Sequence, residues 1–77
     1  MKFTLEEVKR GRNLHLIGWT SGYLLVQFRG RSQQYIFGPA IPEEEKDKLL
    51  RSPYPDRLFQ ANIKGNYRCH KIGSHAA

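Results

Sequence analysis

The chain is predicted to be an α+β domain: a three-stranded antiparallel β-meander followed by two short helices. Three observations predict it. Tyr23–Arg29 and Gln34–Phe37 are two runs rich in β-branched and aromatic residues, joined by the polar loop Gly30-Arg31-Ser32-Gln33, which is the pattern of a β-hairpin. Thr20-Ser21-Gly22 turns a preceding apolar run into that hairpin. After Gly38-Pro39 the apolar spacing changes, and two proline-opened segments follow with helical patterning.

The hairpin divides its side chains between two faces, because successive residues of a strand point to opposite sides. Leu24, Val26, Phe28, Tyr35 and Phe37 fall together and are expected to form the core face. The other face mixes polar Gln27, Arg29 and Gln34 with apolar Tyr23, Leu25 and Ile36. An apolar group of that size is expected to be covered, by another part of the chain or by a partner.

The segment before the meander carries a helix-start pattern. Thr4-Leu5-Glu6-Glu7 fits a capping box, and Phe3 and Val8 are spaced as a hydrophobic staple. Lys9 and Arg10 suit a last turn and Gly11 a stop. One or two turns of helix are therefore expected in an arm of residues 1–13, packed on the second sheet face, since so short a helix is unstable alone. Asn13–Trp19 reads as the first strand, with Gly18 marking a bulge or a close backbone approach. Ile41-Pro42-Glu43 starts the first helix, with acids in its first turns and Lys48 and Arg51 near its end, and Pro53 stops it. Arg57–Lys64 reads as the second helix, with Phe59 and Ile63 on one face. Tyr67–Ile72 is a terminal strand or an extended tail, and 73–77 is expected to be disordered. The domain proper thus spans residues 14–72.

With 77 residues the chain is one domain whose core is small, so each large apolar side chain matters. The single cysteine, Cys69, excludes an internal disulfide and fits a reducing compartment. The apolar runs are too short for a membrane span, so the cytoplasm is the expected location. The net charge is +6, from 13 Lys+Arg and 7 Asp+Glu. Four of the acids, Glu43, Glu44, Glu45 and Asp47, lie in one five-residue window. The remainder is strongly basic, which suggests a polyanionic partner, nucleic acid above all.

Catalysis is not expected. Cys69 and His70 are adjacent but point to opposite faces of a strand, and Cys69 reads as a small buried apolar residue. His15, His70 and His75 have no metal-ligand spacing, and there is no phosphate-binding glycine loop. No cofactor or metal is implied. The candidate nucleic-acid-binding residues are Arg10, Arg12, Arg29, Arg31, Lys64, Arg68 and Lys71, with Tyr23 and Tyr54 as exposed aromatics. Tyr35 and Phe37 would make a stacking platform, but they share the core face and are assigned to the interior. The alternative is a protein-interaction module, a phage or prophage protein acting on a host protein or a homodimer, centred on Leu25 and Ile36.

From about Leu16 to Tyr67 the order of motifs resembles the KTSC domain family, small domains found alone in bacterial and phage proteins and at the carboxyl end of some lysyl-tRNA synthetases. The match runs through Gly18-Trp19, Leu24-x-Val26-x-Phe28, Tyr35-Ile36-Phe37, Ile41-Pro42 and Phe59-x-x-x-Ile63-Lys64-x-x-Tyr67. The resemblance implies a β-meander followed by helices, and RNA as the expected partner. Two positions depart: Gln60 stands where the family has asparagine, and Glu45-Lys46 where its first helix has a valine-tyrosine pair. The second departure removes apolar contact between that helix and the sheet.

Overall fold

The computed structural model describes residues 2–72; the tail expected over 73–77 lies outside them. One antiparallel sheet holds five strands in sequence order, β1 (Glu6–Glu7), β2 (Leu14–Thr20), β3 (Tyr23–Phe28), β4 (Gln34–Phe37) and β5 (Cys69–Ile72). Two helices, α1 (Glu43–Arg51) and α2 (Pro55–Asn62), lie between β4 and β5 in sequence. The predicted meander is therefore the centre of a larger one, with a strand added at each edge.

The central register follows the expected alternation. Leu24 pairs with Phe37 and Val26 with Tyr35 across β3 and β4. Across β2 and β3, Ile17 pairs with Val26 and Trp19 with Leu24. These residues face the helices. Ile17, Leu24, Val26 and Phe37 form the buried core with Ile41, Leu49, Phe59 and Ile63, while Phe28 and Tyr35 pack against it half-buried. The turn between β2 and β3 places Ser21 and Gly22 at φ 49° and 86°, the positive values that a type I′ hairpin turn needs at both central residues.

The uneven spacing of Leu14, Ile17 and Trp19 has a cause. A register shift between Leu14 and Leu16 inserts one residue, so Leu14 joins Ile17 and Trp19 on the core side. The bulge sits there and not at Gly18. Gly18 is instead a close approach: a Cβ at that position would lie 2.8 Å from the Thr4 carbonyl oxygen and 3.2 Å from both Phe3 and Leu5 side-chain atoms.

That approach corrects the amino-terminal reading. Residues 3–5 run extended past Gly18, and Glu6–Glu7 pair with Ile17 and Leu16 as an edge strand. The Thr20 hydroxyl donates to the Lys2 carbonyl at 2.6 Å, and the Val8 N–H to the His15 carbonyl at 2.8 Å. A short capped helix satisfies only its own ends, whereas the strand gains ladder bonds and buries Val8.

Helix α1 holds the sheet with few apolar contacts. Leu49 is buried and Leu50 half-buried. At the two positions that depart from the family pattern, polar links take over. Lys46 reaches Glu6 of β1 at 3.4 Å, together with Glu43 and Asp47. Glu45 accepts from Asn62 of α2 at 3.3 Å and pairs with Lys48 at 3.4 Å. Burial would lower the Lys46 pKa, but the bond and charge of Glu6, with Asp47 and Glu43, outweigh it and hold the ammonium above its ordinary range. The Trp19 indole N–H donates to the Ile41 carbonyl at 2.7 Å, fixing the chain that leads into α1.

Candidate nucleic-acid interface

Residues of β3, β4 and the loop between them face residues of α2 and the segment that follows it. A groove of about 410 Å³ opens there, lined by Phe28, Tyr35, Phe37 and Phe59 with Arg29, Arg31 and Lys64, and by Asn13 and Gln60. Its aromatic floor follows from strand alternation: Phe28 and Tyr35 project to the helix side and meet Phe59 from α2. The rings contact edge to face, with centroids 5.7 Å apart for Phe28–Tyr35, 5.9 Å for Phe28–Phe59 and 5.3 Å for Phe37–Phe59. Phe37 and Phe59 are buried, so the accessible ring surface belongs to Phe28 and Tyr35. Among the described residues no acid lines this groove. It can take a planar, apolar-faced group beside an anion.

A second cleft lies beyond the loop 11–13. It is lined by Arg10, Arg12 and Arg57 with Pro53, Tyr54, Pro55 and Asp56. Tyr54 is 68% exposed. The Asp56 carboxylate is already engaged: it accepts the backbone N–H groups of Arg12, Asn13 and Leu14 at 2.9, 3.1 and 3.1 Å. Burial would push its pKa up, but these three donors and the Arg12 charge prevail and hold it below the usual carboxylate range. Asn13 lines the first groove and Arg12 the second, so this one loop, held by Asp56, borders both.

The residues expected to bind nucleic acid divide accordingly. Arg29, Arg31 and Lys64 line the aromatic groove, and Arg10 and Arg12 the second cleft. Lys71 pairs with Tyr35 in the sheet and is exposed, on the flank of the groove. Arg68 is exposed just before β5. Tyr23 is half-buried at the start of β3, on the far side of the sheet from the groove. Arg29 has a structural duty as well: its Nη2 donates to the carbonyls of Val8, Gly11 and Leu14 at 3.3, 3.2 and 3.5 Å. Sequence reading missed the groove floor by assigning Tyr35 wholly to the interior, and it missed Arg57. The signal for the floor was that Phe28 ends β3 and Tyr35 lies one residue into β4, both beside the loop and both only half-buried.

On the second sheet face Gly18, Leu25, Ile36 and His70 form one row. Leu25 is 6% exposed beside the arm that crosses Gly18, and Ile36 is half-buried. The proposed apolar centre of a protein interface therefore offers a partner little of Leu25. Cys69 is exposed at the sheet edge, not buried as expected, because β5 has no strand on its outer side among the described residues. Partial burial raises its thiol pKa, against the opposing pull of Lys71 and Lys64. Among the described residues no group of three or more His, Cys, Asp or Glu side chains could hold a metal ion, and no helix is long and apolar enough to cross a membrane.

No family model matches the chain, and no curated protein matches it. Among solved structures the fold is similar to the crystal structure of a KTSC domain protein from Yersinia pestis, with a TM-score of 0.79 and 26% identity, over 94% of this chain and 100% of that one. The shared structure thus includes more than the stretch from Leu16 to Tyr67 that carries the sequence resemblance.

Proposed function

We propose that this KTSC-like domain is a non-catalytic cytoplasmic module that binds single-stranded nucleic acid, RNA in preference to DNA. One observation carries the reading: the accessible rings of Phe28 and Tyr35 lie in a groove whose charged lining residues are Arg29, Arg31 and Lys64. Unpaired bases stack on aromatic faces, while neighbouring cations hold the backbone phosphates. Such contacts are weakly selective for sequence and sensitive to salt.

The test is titration of a labelled single-stranded RNA dodecamer across a salt series, with the DNA counterpart alongside. Arg29 is a poor choice of variant because three backbone carbonyls depend on it. The side chains of Arg31 and Lys64 are exposed and hold no part of the fold by hydrogen bond among the described residues; only their backbone N–H groups donate, to the Phe28 and Phe59 carbonyls. The double variant Arg31→Glu/Lys64→Glu is expected to weaken binding and to lower the salt slope by about 1.4, roughly 0.7 per phosphate contact on a single strand. Tyr35→Ala is expected to cost about tenfold in affinity. Absence of salt-dependent binding by the wild-type protein at low ionic strength would refute the proposal.

A further inference from the structure

We infer that the strand does not end in the aromatic groove but continues over the loop 11–13 into the second cleft, where Tyr54 stacks a further base between Arg10, Arg12 and Arg57. The inference rests on the proposed function and extends its site. Three observations support it. The two clefts share one wall, since adjacent residues Asn13 and Arg12 line the first and the second. Tyr54 is held out between Pro53 and Pro55 and is 68% exposed, the most exposed large hydrophobic side chain among the described residues. A tyrosine in that state has given up its apolar burial, and three arginines lie beside it.

Charge favours an anionic occupant along the whole path. Arg10, Arg12, Arg29, Arg31, Arg57 and Lys64 border it. The one carboxylate, Asp56, has both oxygens turned to the backbone N–H groups of the loop itself. A polyphosphate chain alone would meet the arginines but would leave Tyr54 without a stacking partner. A single-stranded nucleic acid satisfies both, because it alternates phosphates with planar bases. Stacking at both ends of the loop requires a strand of at least about four nucleotides, the lower end of what small single-strand-binding folds span.

The test uses the full chain and homopolymeric RNA oligonucleotides from two to twelve residues long. Affinity is expected to rise with length and to step upward once the strand reaches the second cleft. Tyr54→Ala and Arg57→Glu are surface changes that leave the core untouched. They are expected to remove that step, weakening the dodecamer about tenfold while leaving the dinucleotide unchanged, and Tyr54→Phe is expected to restore it. Loss of dinucleotide binding in proportion would overturn the inference, as would a dodecamer affinity unchanged by both variants. Equal competition by poly-glutamate, insensitive to Tyr54→Ala, would overturn it too, since it would mark a surface that reads charge alone. If the wild-type protein binds no oligonucleotide of any length, the proposed function itself fails, which is a separate result.

Discussion

Replacing Asp56 with alanine removes the acceptor of three backbone N–H groups in one step. Arg12, Asn13 and Leu14 donate to it at 2.9–3.1 Å, and α2 supplies the carboxylate from its first turn. Hydrogen bonds to a charged group contribute about 1.5–3 kcal/mol each, but three that share one carboxylate are not additive, and water can replace some of them at this half-exposed site. A net loss of about 2 kcal/mol follows. With a urea m-value near 1 kcal/mol/M, the midpoint should fall by about 2 M, and the melting temperature by about 8–16 °C for a domain of this size. The pH dependence carries a second signature. The folded-state pKa of Asp56 is depressed below 3.8, so its contribution is present above that value and is lost as pH falls through the folded pKa. Wild type and Asp56→Ala should therefore differ at neutral pH and converge in strong acid. A loss below about 0.5 kcal/mol at pH 7, or a difference that persists undiminished at acid pH, would refute the clamp.

Other consequences of the fold are open to measurement. Lys46→Ala removes the link from α1 to Glu6; its acidic partners are half-exposed, so a loss of about 0.5–1 kcal/mol is expected, smaller in high salt. Because the Lys46 pKa is raised, that contribution is complete below 10.5 and disappears as pH climbs through the folded value, which a denaturation series at alkaline pH would detect. Gly18→Ala drives a methyl group against the Thr4 carbonyl at 2.8 Å; it should cost about 1–3 kcal/mol and speed hydrogen exchange at the Val8 amide, whereas unchanged exchange would show that the arm does not lie there. Phe59→Ala empties the point where core and groove meet. It should cost about 3–5 kcal/mol, enough to leave a domain this small largely unfolded at 37 °C, as circular dichroism would report.

Much of this architecture was legible from local patterns. The hairpin register, the face shared by Leu24, Val26, Phe28, Tyr35 and Phe37, and both helices follow from period and punctuation. The arm was not, because Thr4 and Glu7 are equally suited to capping a helix turn. The choice was made by a tertiary fact, the missing side chain at Gly18 against which an extended chain fits. The same holds at the site. That the region is basic is plain from composition, but the double role of Arg29 depends on carbonyls at positions 8, 11 and 14 that only folding gathers. Tyr35 was assigned to the core by alternation, which fixes a side chain's face but not how far the helices extend over it. Tyr54 is exposed as its place between two prolines suggested, while the burial of Pro55 in the core beside it is a product of packing.

The most direct test of the binding account is the set of amide chemical-shift changes in a ¹⁵N-labelled sample titrated with a single-stranded RNA dodecamer. The account predicts changes concentrated at Asn13, Phe28, Arg31, Tyr35 and Lys64, with a second group at Tyr54 and Arg57. Changes gathered instead along Leu25, Ile36 and His70 on the opposite sheet face, or none at low salt, would contradict it.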